Sequence, residues 1–262
     1  MKLGAAYNVF DGEELLEYSI AAIREQVDFV CVVFQEVSNF GNPCAPTLLP
    51  TLAQLYQRGW VHKLARYTPV DKAGQPNEVA KRNMGLELCR REGCTHFIAL
   101  DCDEVYAADQ FAYAKRVIEE SDYDASACQM ITYYKEPIYR LEPKEDYYAS
   151  MIYRIGEETK FQLNCDFPVL IDRARRIASR NVRVFTRDEV EMHHYAHVRR
   201  DIHSKLVNSS ALPLYADKLS AIENAFHSWR FGQRALVAPG IEYDIEQVEP
   251  LIGYTDAAGR ER

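Results

Sequence analysis

Phe97-Ile98-Ala99-Leu100-Asp101-Cys102-Asp103-Glu104 is the stretch on which the reading of this chain turns. Its first four residues are uninterrupted apolar, as a strand buried on both faces requires, and three carboxylates follow within four positions. Like charges crowded onto a strand exit are costly unless something positive joins them. Carboxylate oxygens suit hard divalent cations such as Mg2+ or Mn2+, which keep coordination positions open for phosphate oxygens. A solvated acidic turn capping the next helix would use the same tripeptide. Position separates the two readings, because ligands of parallel sheets bind beyond the carboxyl ends of the strands.

Outward from that point, the N-terminal half alternates strand and helix. Residues 3–7 read as a strand, 8–12 as a turn, and 13–26 as a helix with Leu15, Leu16, Ser19, Ile20 and Ile23 on one stripe. The run 29–34 is β-branched and aromatic, 39–46 is a loop rich in Asn, Gly and Pro, 47–58 a helix, 61–67 a strand and 68–76 a loop. A helix over 77–92, with Val79, Met84, Leu86 and Leu88 among its apolar positions and Gly93 closing it, leads into the strand 96–100. This pattern predicts an α/β fold with a mostly parallel central sheet.

The second half reads as α+β. Strands are expected at 125–134 and 150–155 with an aromatic, charged loop at 135–148 between them, further strand pieces at 182–184 and 190–195, and helices at 199–206 and 214–229. The expected organisation is one globular domain in two portions, 1–124 and 125–262, with any disorder confined to the tail.

Composition excludes several classes of function. A net charge of -8 argues against nucleic acid, whose affinity comes from Lys and Arg displacing counterions. At 47% apolar and 27% charged, the 262 residues match an ordinary globular protein. Seven cysteines without a CxxC pair fit a reducing cytoplasm, and no run has the length of a transmembrane span or the form of a signal peptide.

In this setting the chain resembles the GT-A glycosyltransferases, family two in particular. Three pieces carry the resemblance: the opening strand with Tyr7-Asn8 ahead of a Glu-Glu-Leu-Leu helix, the Lys81-Arg82-Asn83-Met84-Gly85 stretch, and the Asp-x-Asp at Asp101 to Asp103. The resemblance implies a GT-A, Rossmann-like nucleotide-diphospho-sugar transferase fold using Mn2+ or Mg2+. It implies transfer of a sugar from a nucleotide-diphosphate donor to a glycan, lipid-linked or protein acceptor. Tyr7 and Asn8 would border the nucleotide, Arg82 and Asn83 would hold its base and ribose region, and Asp101 and Asp103 would handle ribose and metal. On propensity alone, Arg82 would be a solvent-facing helical cation.

A second cluster is Glu191-Met192-His193-His194-Tyr195-Ala196-His197-Val198-Arg199-Arg200. Strand alternation sends His194 to one face and His193 and His197 to the other. The resemblance implies that His193 or His194 completes the metal shell, with His194 preferred. Arg199, Arg200, His203 and Lys205 open an expected helix whose cations would neutralise a departing diphosphate. An inverting transfer needs a carboxylate base, for which Asp166, Asp188 and Glu189 are candidates, although the family's usual Glu-Asp pair is not plain here.

Arg173, Arg175, Arg176, Arg180, Arg183 and Arg187 form a basic run, either acceptor-facing or a solvated face. Tyr133, Tyr134, Tyr139, Tyr147, Tyr148 and Tyr153 either stack on sugar or pack as strand residues. Three other readings compete. A haloacid dehalogenase-like phosphohydrolase also places Asp-x-Asp at a strand end, but normally after its first strand. A nucleotidyltransferase would want a glycine-rich phosphate loop, and a non-catalytic sugar-binding module would need neither diphosphate nor metal.

Overall fold

Short, mostly apolar runs in the N-terminal half become parallel strands, of which Phe29–Phe34 is β-branched, aromatic and cysteine throughout, and the helices between them bury apolar stripes. The computed structural model describes residues 1–70 and 74–253. The tail from 254 lies outside them, as do residues 71–73 of the expected loop at 68–76. Chain contacts divide into two units, 1–129 with 147–192 and 130–146 with 193–262.

In the first unit, strands β1 (Leu3–Val9), β2 (Phe29–Phe34), β3 (Lys63–Arg66) and β4 (His96–Asp101) are mutually parallel in the order β3-β2-β1-β4. The expected α/β class with a parallel core is therefore present. Beyond β4 the sheet continues through β8 (Tyr148–Arg154), antiparallel to both β4 and β6 (Ala125–Tyr134), and β6 pairs in parallel with β9 (Val182–Val184). Helices α1 (Glu13–Ile23), α2 (Leu48–Gln57), α3 (Gly74–Arg91) and α4 (Ala108–Glu119) fill the connections. Strand β1 runs on through Asn8, where a turn was expected, and this pairs Asn8 with Asp101. Between β4 and α4 the chain adds an unexpected short strand, β5 (Glu104–Tyr106).

Helix α3 turns a polar face inward. Its buried residues are Asn77, Lys81, Arg82, Gly85, Leu86 and Cys89, while Val79 and Leu88 are only partly buried. Gly85 explains how. A Cβ at this position would stand 2.8 Å from the Ala6 Cβ, so the missing side chain lets α3 approach β1 closely. Arg82 lies one turn earlier on the same face, and the close approach carries it to the end of β4. Gly85→Ala is expected to destabilise by about 1–3 kcal/mol through overpacking, read as a lower urea midpoint at unchanged slope.

In the second unit, β7 (Tyr139–Glu142), β12 (Ile241–Gln247) and β11 (Ala235–Ala238) form an antiparallel ladder, and β7 also pairs with the end of β6 at Tyr133. Strand β7 lies inside the expected loop 135–148. Helix α5 spans Ile202–Val207, so Arg199 and Arg200 precede it instead of opening it. The expected helix 214–229 is two 3-10 turns followed by α6 (Leu219–Ser228). Tyr134, Leu206, Phe226 and Trp229 are among the residues of this unit's core.

Candidate functional site

The exit of β4 is an ionic cluster built from four elements of the first unit. Arg82 from α3 places Nη2 at 3.2 Å from both carboxylate oxygens of Asp101. Arg175, on the 3-10 turn Arg173–Arg175, donates through Nη2 to Asp101 Oδ2 at 2.5 Å and through Nη1 to Glu104 Oε2 at 3.0 Å. Burial raises the Asp101 carboxyl, but the two guanidinium groups outweigh it and hold the group well below the usual carboxylate range. Glu104 is more enclosed than Asp101, with 4% of its side chain exposed against 36%. Burial pushes its carboxyl up to about 7 against the downward pull of Arg175. Asp103 is buried, and its charge raises both neighbours further.

Arg82 is thus a buried ion-pair partner, not a solvent-facing cation, with only 4% of its side chain exposed. Its Nε and Nη1 are buried and have no hydrogen-bond partner, and neither has the buried Nδ2 of Asn8. Asn8 stands beside Asp101 in the sheet register. Buried donors are ordinarily satisfied, so these three are unmet hydrogen-bonding capacity on the two residues that flank Asp101. Lys81 adds a further charge, donating to Gln35 Oε1 at 2.6 Å at the end of β2.

Burial lowers the Lys81 ammonium to about 8, with Asp101 opposing. An unfolded lysine titrates near ~10.4, so between those values the unfolded chain binds more protons and this group adds stability as pH rises. Buried thiols such as Cys89 and Cys128 are raised and act oppositely. Comparison with a variant cancels them: the stability of Lys81→Met relative to wild type should fall by about 2 kcal/mol between pH 7 and 10, measured by urea unfolding at each pH.

Two of the expected donor-site residues do other work. Tyr7 is fully buried, its hydroxyl 3.0 Å from Ser19 Oγ, and Ser19 in turn donates to the Glu104 carbonyl. It supports the acidic loop from below because alternation points it away from the face of Asn8. The Asn83 amide is engaged by Phe161, giving Nδ2 to its carbonyl at 3.1 Å and taking its N–H on Oδ1 at 2.8 Å. It ties α3 to the segment after β8.

The carboxylates expected as bases separate. Glu189 accepts from the Thr186 backbone at 2.9 Å, the Thr186 hydroxyl, the Tyr113 hydroxyl and Arg183. The Thr186 backbone bond leads in pulling its pKa down, so it is a weak base and serves as a turn clamp. Asp166 and Asp188 are exposed. Half of the basic run is held in ion pairs as well: Arg183 pairs with Glu189, Arg187 with Glu191, and Arg175 joins Arg82 at the β4 exit, a place sequence reasoning did not give it. No periodicity marks Arg175, whose partners lie 71 and 74 residues away.

In the second unit, His194 is half-buried on β10 (Glu191–His197). His193 Nδ1 lies 2.8 Å from the Tyr133 hydroxyl and its ring stacks on the same tyrosine. Arg199 precedes α5, and Lys205 lies in its last turn. Tyr134 and Tyr139 pack edge-on to Trp229, and Tyr153 of the first unit stacks on Phe97. Among the described residues, no three His, Cys, Asp or Glu side chains are grouped to hold a metal ion. No described helix is long and apolar enough to cross a membrane.

No family model matches the chain, and no curated protein matches it. Among solved structures it is similar to S. aureus TarS 1-349 in complex with UDP-GlcNAc, at 13% identity over 87% of this chain and 72% of that one, with a TM-score of 0.49. It is also similar to GalNAc-T7 with UDP, GalNAc and Mn2+, at 9% identity over 89% of this chain and 52% of that one, with a TM-score of 0.43.

Proposed function

We propose that the chain is a glycosyltransferase of the GT-A type that binds a nucleotide-diphosphate sugar at the exit of β4 and passes the sugar to a glycan, lipid-linked or protein acceptor. One observation carries the reading: Arg82 and Asn8, each with buried donors that have no partner, flank Asp101 at the C-terminal end of a parallel strand. Ribose hydroxyls and diphosphate oxygens are the acceptor-rich groups that such a place takes. Asp101 is neutralised by two guanidinium groups, which makes it a poor nucleophile and counts against the phosphohydrolase.

The donor set fits a divalent cation only in part. Asp101 and Glu104 are committed to arginines, and Asp103, the second acid of the Asp-x-Asp, would hold Mn2+ or Mg2+ together with diphosphate oxygens. Such an ion supplies charge stabilisation for the leaving diphosphate. The chain's own residues do the rest. Arg82 and Asn8 orient the donor, Lys81 adds positive potential behind it, and Asp166 or Asp188 takes the proton of the acceptor hydroxyl if transfer inverts. Seven free thiols suit a reducing compartment such as the cytoplasm.

The test is turnover of a panel of nucleotide sugars with Mn2+ or Mg2+, followed as released nucleoside diphosphate. Consumption of one donor, lost in Arg82→Ala, supports the proposal; a protein inert to every donor, with phosphatase activity instead, overturns it.

A further inference from the structure

What stands between the carboxylates of Asp101 and Glu104 is a single guanidinium. Arg175 reaches Asp101 Oδ2 at 2.5 Å, Glu104 Oε2 at 3.0 Å, and Glu104 Oε1 with the same Nη2 that serves Asp101. The Asp101 N–H donates to Glu104 Oε2 at 3.2 Å, so the two acids and the arginine form one closed unit. Arg175 is itself fixed: Asp172 caps its turn by accepting the Ala174 N–H at 2.9 Å, and the Tyr153 hydroxyl donates to its carbonyl at 2.6 Å. Only 8% of its side chain is exposed. Its guanidinium cannot lose its proton at any ordinary pH.

We propose that Arg175 is a resident cation, occupying the place between Asp101 and Glu104 that a divalent ion would otherwise take. Two of the three acids at the strand exit then hold the loop together instead of binding metal. Arg175 is a positioning residue: it sets the loop that presents Asp103. This deepens the donor-site reading above and has one consequence for it. A site with two of its acids neutralised attracts a free divalent ion weakly, so the ion enters with the diphosphate and not before it. Removing the resident charge while keeping the bulk of the side chain should let a divalent ion bind without nucleotide, because Glu104 is released and Asp101 keeps only Arg82, which raises the net negative charge of the ligand set.

The experiment is a Mn2+ titration of the full chain, read by electron paramagnetic resonance and by thermal unfolding, for wild type, Arg175→Met and Arg175→Lys without nucleotide. Arg175→Met should bind Mn2+ at least about tenfold more tightly than wild type and should melt higher as Mn2+ is added. Arg175→Lys keeps the charge and should behave as wild type. The proposal fails if wild type binds Mn2+ as tightly as Arg175→Met, or if folded Arg175→Met binds no better than wild type. Should Arg175→Met be too unstable to prepare alone, it is refolded in millimolar Mn2+, and failure to fold there also counts against the proposal. Adding UDP, GDP, CDP or dTDP to wild type separates the two claims. Mn2+ retained with none of them sinks the donor-site reading, while the Arg175→Met result still decides the role of the arginine.

Discussion

Arg175→Ala is expected to destabilise the protein by about 3–5 kcal/mol, the cost of stranding a buried charge. Glu104, with 4% of its side chain exposed, loses both of its charged hydrogen bonds, whereas Asp101 keeps Arg82. The deficit should depend on pH with a definite sign. In the wild type, burial already lifts Glu104 to about 7 against Arg175, and a raised acid contributes stability that is fully present below its unfolded value and lost as pH rises through the folded one. Without Arg175 the folded value rises further. Protonation then relieves the stranded charge, so the deficit is smaller near pH 5 than at pH 8. Urea unfolding at the two pH values measures it, and a deficit that grows toward acid would mean that Glu104 is not the group left exposed to the change.

Asp103→Asn is expected to reduce donor turnover by about 10²–10³-fold, the range seen when one group stabilising transition-state charge is removed. The substitution keeps the shape of the side chain and removes one of three crowded negative charges, so folding should survive. The charge of Asp103 raises both Asp101 and Glu104, so a structural change confined to that neighbourhood would appear as a lower Glu104 titration, followed by carboxylate NMR. Loss of turnover with Mn2+-dependent donor binding also lost assigns Asp103 to the metal. Full activity in the variant would remove the metal from that residue.

Much of the first unit was legible because its central strands β1, β2 and β4 are buried along nearly their whole length. The run Phe29–Phe34 has only β-branched, aromatic and cysteine residues and forms a strand over those same residues, and the carboxylates after β4 sit at the strand end that the alternation of elements implies. What sequence could not show is a partner held by tertiary distance. Arg175 looked like one cation in a basic run, yet burial and two acids far along the chain make it part of the site. Arg82 and Asn83 are neighbours in one motif, but consecutive helical positions point some 100° apart, and only Arg82 reaches Asp101 while Asn83 faces Phe161. Strand β7 has only four residues, too few for a period to register. Strand β12 does carry the alternation Ile241, Tyr243, Ile245, but its polar, exposed character weakens the signal of a buried face.

On the proposed function, the exit of β4 binds a nucleoside diphosphate together with a divalent cation. The most direct test is a thermal-shift titration with UDP, GDP, CDP and dTDP, each with and without Mn2+, since a ligand of the folded state raises its melting temperature. One of the four should stabilise the protein in a Mn2+-dependent way, and Arg82→Ala should abolish the shift. No response to any diphosphate, with or without Mn2+, would contradict the account.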